Sequence, residues 1–287
     1  MMTTTLQTLT DEWIKERPFL KELGQFHLAI ESILESIPQE KKEWPALHAA
    51  KEEFKRGIPL FKCESFQMPA LDAAIEYFQA LTNLSESEKA PAPFKEHCLK
   101  LQEALAGDKD LAEMIIRAVI KDEHQKLSAA FEKHQLNEGV TKFLAWTAIA
   151  RAVRPYLSEI MEWEVKQGWH KEYCPTCGAL PNMAQLKRSS KGRRRHLVCG
   201  CCKTQWVYKR IICPYCGNED QEQLEIIEIE GEDDIRVDVC NSCKGYIKVY
   251  TNQGEEEIAL ADWSTIHFDI LIKEKGFLKM GTHLFDV

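Results

Sequence analysis

Eight of the eleven cysteines of this chain fall into four Cys-x-x-Cys pairs: Cys174/Cys177, Cys199/Cys202, Cys213/Cys216 and Cys240/Cys243. Eight thiols in four such pairs suffice for two tetrahedral four-thiolate metal sites. Two residues between the thiols let one tight turn, a knuckle, aim both sulfurs at one ion. A glycine after the second cysteine frees the backbone to turn its N–H groups toward the thiolates. Gly178 and Gly217 stand there, and Pro175 and Pro214 pre-set the start of each turn.

The pairs form an internal repeat. Cys174-Pro175-Thr176-Cys177-Gly178 is matched by Cys213-Pro214-Tyr215-Cys216-Gly217, and Cys202-Lys203 is matched by Cys243-Lys244. A CPxCG knuckle is thus followed by a CxxCK knuckle, twice. This order favours pairing first with second and third with fourth, each unit a ribbon of knuckle, short strands and knuckle. An interleaved pairing stays open. Cys201, inside the second knuckle, is a rival for its neighbours, though the repeat register favours Cys199 and Cys202.

Disulfides and redox chemistry are the other uses of such pairs. Residues 1–19 have no apolar run and carry Asp11, Glu12 and Glu16, so no secretory signal is expected. No stretch approaches the roughly 18 apolar residues of a membrane span. The expected location is the cytoplasm, where thiols stay reduced and read as metal ligands. A thioredoxin-like redox pair opens a helix once, which does not fit four knuckles. Four thiolates in a tetrahedron suit either zinc or iron.

The formal net charge of −8 argues against a protein built as a whole for nucleic acid or an anionic membrane. The charge is unevenly placed. Lys187 to Arg210 holds nine basic residues and no acidic one, with Arg193, Arg194 and Arg195 consecutive; Glu219 to Asp234 holds nine acidic residues and no basic one. Two solvated loops that attract each other, or a charged surface that orients a partner protein, both fit this.

The elements that must position the knuckles follow from periodicity. Phe19, Leu23, Phe26, Ile30 and Ile33 recur at helical steps after Pro18, and Pro69 opens another run through Leu71, Ala74, Ile75 and Phe78. Ser85 to Pro93 reads as a polar linker. Asp108 is placed to cap a helix carrying Leu111, Met114, Ile115 and Val119. Val140 to Val165 is a long helical segment that Pro155 should kink or split. Residues 224–230, 207–212 and 247–250 are β-prone. Asp262 is placed to cap a final helix with Trp263, Ile266, Ile270 and Leu271 on one side, ended by Gly276. The expected fold is α+β: an all-α bundle over residues 1–166, a first four-cysteine ribbon over 167–212, a second over 213–255 and a helical segment over 256–287.

Other candidates carry less. Cys63 and Cys98 have no CxxC partner and read as buried small hydrophobes. His97 adjoins Cys98, but adjacent residues do not share a helix face. Glu159 and Glu162 read as a solvated helix surface, without the Glu-x-x-His partner of a di-iron site. His196 reads as a surface histidine. No Gly-rich phosphate loop, nucleophile elbow or catalytic dyad is present, so no enzymatic activity is expected.

The run Cys174-Pro-Thr-Cys-Gly-Ala-Leu-Pro181, the segment Leu197-Val-Cys-Gly-Cys-Cys-Lys-Thr-Gln-Trp206, the knuckle Cys213-Pro-Tyr-Cys-Gly217 and the closing Cys240-Asn-Ser-Cys-Lys-Gly-Tyr-Ile-Lys248 resemble the formate dehydrogenase accessory protein FdhE family. The likeness is close over residues 168–250, and Arg154-Pro155-Tyr156-Leu157 is its most suggestive piece in the helical half. It implies a cytoplasmic, non-enzymatic maturation factor that binds the catalytic subunit of formate dehydrogenase. It also implies two rubredoxin-like sites able to hold iron. A zinc-ribbon nucleic-acid binder and a rubredoxin-type electron carrier remain as alternatives. The partner surface and the oligomeric state stay open.

Overall fold

The computed structural model describes residues 6–38, 47–66, 68, 70–190, 192–251 and 262–282. Pro69, the expected helix start, lies outside them. The chain is α+β and forms two compact units. One is built from residues 6–38 and 70–156, the other from 47–66, 157–251 and 262–282.

The first unit is helical: α1 (Leu6–Glu16) and α2 (Lys21–Glu35), then α4 (Leu71–Leu81), α5 (Ala92–Gly107), α6 (Leu111–Lys121), α7 (His124–His134) and α8 (Glu138–Val153). Apolar residues at three- and four-residue steps give each long helix one buried stripe. On α6 the stripe includes Leu111, Ile115, Ile116 and Val119. On α4 it is Ala74, Tyr77, Phe78 and Leu81, which packs toward α8 and α6. Phe26, Phe94 and Phe143 join α2, α5 and α8, with ring centroids 4.9, 5.6 and 6.2 Å apart. The tract Ser85 to Pro93 is a tight connection, with Ala90 buried, rather than an extended linker. Asp108 does not cap α6 directly; it closes α5 and accepts from the backbone N–H of Asp110 at 3.3 Å. Cys98 is buried, and burial pushes its thiol up to about 12.

His97 bridges two helices of this unit. Its Nδ1 accepts from the Asn137 backbone N–H at 3.3 Å, so Nε2 carries the proton and gives it to Thr141 Oγ1 at 3.1 Å. Thr141 Oγ1 in turn donates to Asn137 O at 2.8 Å.

The second unit centres on a seven-stranded sheet: β1 (Pro181–Ser189), β2 (Gly192–Cys199), β3 (Gln205–Tyr208), β4 (Leu224–Glu228), β5 (Ile235–Cys240), β6 (Gly245–Tyr250) and β7 (Leu278–Lys279). Two antiparallel meanders, β1–β2–β3 and β4–β5–β6, repeat one another. They join through parallel pairing of β1 with β6, Met183 opposite Lys248 and Gln185 opposite Tyr250, so the order is β3-β2-β1-β6-β5-β4. β7 pairs with β6. Strand β3 stops at Tyr208, short of the expected Ile212, and β4 leaves Ile226 exposed rather than half-buried.

Three helices complete this unit. α3 (Lys51–Lys55) packs on α9 (Leu157–Gln167), with Phe54 4.6 Å from both Trp163 and Trp169. The turn Arg154–Tyr156 splits α8 from α9 at Pro155, as its ring requires. The final helix, α10 (Ile266–Glu274), buries Phe268 and Ile272; Ile266, Ile270 and Leu271, expected on its inner side, face outward. Gly276 ends it with φ +87°.

What orients this end of the chain is charge. Lys248, fully buried, reaches Asp262 Oδ1 at 3.1 Å and Asp269 Oδ2 at 2.9 Å; Lys279 reaches the same two oxygens at 3.2 and 3.1 Å. Tyr246 donates to Asp269 Oδ1 at 2.7 Å and Asn182 Nδ2 to Asp262 Oδ2 at 2.7 Å. Burial opposes ionisation of Asp262, but Lys248 and Lys279 outweigh it and hold its carboxyl well below the usual range. Asp262 therefore acts inside this network rather than as a cap.

Burial holds His97 down to about 4, against an ordinary 6.5, so the imidazole stays neutral in the fold. The sign follows: its contribution to stability is whole above about 6.5 and is lost as pH falls toward 4. An NMR titration of His97 is expected to show a midpoint near 4 and the Nε2–H tautomer at pH 7. A midpoint near 6.5 would contradict the buried bridge.

Candidate metal centres

The knuckles repeat in structure as they do in sequence. In the first and third, the cysteine carbonyl accepts from the glycine N–H: Gly178 N to Cys174 O at 2.9 Å and Gly217 N to Cys213 O at 3.0 Å. Both glycines are left-handed, at φ +86° and +71°. In the second and fourth, lysines take that conformation, Lys203 at +65° and Lys244 at +60°. Each lysine offsets the strain by folding back on its own knuckle: Lys203 Nζ donates to Gly200 O at 2.7 Å and Lys244 Nζ to Asn241 Oδ1 at 3.2 Å. That is the physical content of the CxxCK signature. Backbone N–H groups point at sulfur too, Cys201 N to Cys199 Sγ and Gly245 N to Cys243 Sγ, both at 3.4 Å.

The eight sulfurs meet in two clusters, Cys174, Cys177, Cys199 and Cys202 in one and Cys213, Cys216, Cys240 and Cys243 in the other. Within each, the ligand atoms lie within 4.8 Å of one another. Cys174 and Cys202 are 3.5 Å apart, Cys177 and Cys199 3.4 Å. Cys213 and Cys243 are 3.6 Å apart, Cys216 and Cys240 3.8 Å. Sulfurs about 2.3 Å from a common ion sit about 3.8 Å from each other in a tetrahedron. Each cluster could therefore hold one ion. First is grouped with second and third with fourth; the interleaved pairing is not formed. The sulfur of Cys201 is buried beside the first cluster but is not one of its four. His196 is half-buried in β2 and joins neither cluster; burial, aided by Lys187 and Arg194, pulls it down to about 4.

The two clusters differ in cover. All four cysteines of the first are buried. Residues 57–61, just after α3, clasp the knuckle: Leu60 N donates to Pro175 O and Phe61 N to Thr176 O, both at 2.8 Å, and Tyr173 Oη donates to Gly57 O at 2.8 Å. Burial pushes the Cys174 and Cys177 thiols well up, so protons compete hard for these sulfurs until a cation replaces them. In the second cluster Cys216 is exposed and Cys243 half-buried. Although burial opposes it, N–H bonds from Cys243 and Ser242 bring Cys240 down to about 7.

One polar chain leads into the first cluster. Glu164 Oε1 on α9 lies 2.8 Å from Thr176 Oγ1, which lies 2.7 Å from Thr204 Oγ1, which lies 3.2 Å from Cys202 Sγ. Each hydroxyl has one proton to give, and a thiolate can only accept. With Cys202 as thiolate, Thr204 donates to sulfur, Thr176 donates to Thr204, and Glu164 must donate to Thr176. That requires a protonated carboxyl. Burial, with Cys199 nearby, pushes Glu164 up to about 8, which keeps it protonated at neutral pH. A raised carboxyl stabilises the fold below its unfolded value of about 4.5, and the contribution is lost as pH rises through about 8. Glu164→Gln keeps a donor without the ionisation. Its thermal unfolding midpoint should exceed the parent's by more at pH 9 than at pH 6, because the contribution is only partly lost at pH 6 and fully lost at pH 9; an equal difference at both would refute this role.

The comparisons with known proteins fall on the same residues. Residues 173–210 match the family model described as FdhE, central domain, and residues 211–285 that described as FdhE, C-terminal domain. A protein named "Protein FdhE homolog" from Aquifex aeolicus is 24% identical over 228 residues, which is 78% of this chain and 73% of that protein. Another of that name from Stutzerimonas stutzeri is 24% identical over 275 residues, 93% of this chain and 82% of that protein. The crystal structure of the FdhE protein from Pseudomonas aeruginosa shares the fold, with a TM-score of 0.66 at 20% identity over 95% of this chain and 91% of that one. Laid end to end, the two models cover residues 173–285 and both sulfur clusters, so this part of the chain is similar to the central and C-terminal domains of FdhE.

Proposed function

We propose that this protein is a cytoplasmic accessory factor that binds the catalytic subunit of formate dehydrogenase and is needed for its activity. Its two four-cysteine clusters would each hold one ion of iron or zinc. The match to the FdhE central and C-terminal domains and the paired clusters carry this reading. In each cluster the four cysteines would be the ligands, with Cys201 outside the first. A bound ion would add folding energy to the meander whose knuckles it joins, and iron would add one-electron chemistry. The buried first cluster suits a structural role. The exposed Cys216 puts the second within reach of solvent and partners. Among the described residues no helix is long and apolar enough to cross a membrane.

The acidic tract disfavours the nucleic-acid alternative. Its Glu219 pairs with Lys209 of the basic tract at 2.8 Å, and Arg195 of that tract is buried. The electron-carrier alternative draws on the exposed second cluster. It requires visible absorbance that bleaches on reduction and turnover by a reductase.

Elemental analysis after anaerobic purification should give about two ions of iron plus zinc per chain, four thiolates to each. Cys201→Ser should keep both, whereas Cys202→Ser should lose one, and a chelator should strip the second cluster faster than the first. A metal content near zero in a folded protein refutes the metal sites.

Affinity capture from cells respiring formate tests the partner. The catalytic subunit should co-purify, and a deletion strain should still make that subunit while losing most formate oxidation. The Cys240→Ser, Cys243→Ser double variant should fail to restore it. Full activity in the deletion strain, with no dehydrogenase captured, overturns the assignment.

A further inference from the structure

A cavity of about 360 Å³ opens on the sheet beside the second cluster. Arg195, Arg210, Arg236, Glu225 and Asp238 line it, together with Cys213 and Cys240 of that cluster, so three guanidinium groups face two carboxylates at the edge of the metal site. The third arginine of the consecutive triplet is the unusual one. Arg193 and Arg194 are exposed, but Arg195 is only 2% exposed.

A guanidinium has five N–H donors, and burying it leaves all five in need of acceptors. Arg195 Nη2 donates to Ile212 O at 2.7 Å, and the guanidinium lies 5.6 Å over the Tyr208 ring. Among the described residues its Nε has no hydrogen-bond partner. Asp238 Oδ2 is 3.9 Å from Nη1, and that carboxylate is engaged more closely by Arg236, whose Nε is 2.9 Å from Oδ1. One carboxylate is thus shared between two guanidinium groups, and the buried one has the poorer share. Burial accordingly pulls Arg195 below its ordinary value, with Asp238 only partly compensating. At the same cavity Ile211 and Ile226 are 59% and 53% exposed, apolar side chains that no described residue covers.

We infer that this cavity binds a carboxylate carried on an apolar body, the carboxylate taken by Arg195 and Arg210 and the body covering Ile211 and Ile226. Planar guanidinium and carboxylate match as a two-pronged pair. Two sources share this chemistry: an acidic side chain beside an apolar one in a partner's segment, and a free amphiphilic acid. The inference rests on side chains of the cavity alone, and it stands whether or not formate dehydrogenase is the partner.

The purified, metal-loaded full chain can be titrated with phenylacetate and with the blocked peptide acetyl-Ala-Leu-Glu-Leu-Ala-amide. Phenylacetamide and the Gln peptide serve as neutral controls. Calorimetry gives affinity, and isoleucine methyl NMR shows whether Ile211 and Ile226 move. At least one acid should bind and shift both methyls, with its neutral control about tenfold weaker. Binding by phenylacetate alone identifies a small acid; binding by the peptide alone identifies a partner segment; both support the site. Arg195→Lys keeps the charge but loses the fork and should weaken the acid about tenfold. Should that variant not fold, Arg210→Ser, at an exposed position, should weaken the acid and leave its neutral control unchanged. The inference is overturned if neither acid binds, if acid and amide bind equally, or if Arg210→Ser has no effect on the acid.

Discussion

Eight sulfurs drawn together in two places, each set within 4.8 Å, are the arrangement on which the rest of the second unit depends. A knuckle can present two sulfurs only if its backbone turns left-handed just after the second cysteine. Gly178 and Gly217 do this freely, and Lys203 and Lys244 do it with their side chains folded back onto the turn. Each knuckle then fixes where the next strand leaves. From that follow two meanders of the same form, and their junction at β1 and β6 makes one sheet of both.

The two units hold together by different physics. The helical unit buries apolar stripes and an aromatic cluster, and its polar interior is small, with His97 kept neutral between two partners. The sheet unit also buries apolar side chains, Leu197, Trp206, Val237, Val249 and Phe268 among them, but it carries buried charge beside them. Lys248 and Lys279 share Asp262 and Asp269, and Glu164 stands at the head of a hydroxyl chain that ends on sulfur. Buried charges of this kind add little net stability when paired and cost several kcal/mol, of order 3–5, when one partner is removed. They specify geometry more than they strengthen it. Lys248 ties the final helix to the sheet at a single register, where an apolar contact would tolerate sliding.

The clusters repeat in sequence and differ in surroundings. The first is roofed by residues 57–61, and Phe54 sits between Trp163 and Trp169 behind them. The second has Cys216 in solvent and a charged cavity at its side. Identical ligand sets in unlike cover would exchange ions and meet partners at unlike rates, because access and dielectric, as much as the donors, set the behaviour of a metal site.

The sequence by itself determined the knuckles and the α+β character and favoured the pairing in order, because these are local: cysteine spacing, the residue after the second cysteine and the period of apolar residues are read over a few positions. Pro155 likewise marked the break between α8 and α9, since a proline cannot continue a helix. Tertiary structure alone decided what depends on long-range neighbours. Residues 47–66 have the helical pattern of the bundle, yet they pack on α9 and clasp a knuckle more than a hundred residues away; periodicity reports that a face is buried, not against what. Arg195 reads as one of three solvated arginines, but strand alternation turns it to the face opposite Arg194, and Arg193, on its own face, stays exposed at the hairpin end beside Gly192. The final helix turned a different face inward from the one its apolar spacing suggested, because Asp262 and Asp269 are held by two lysines from other strands. Local chemistry chose the ligands, and distant chemistry chose their cover.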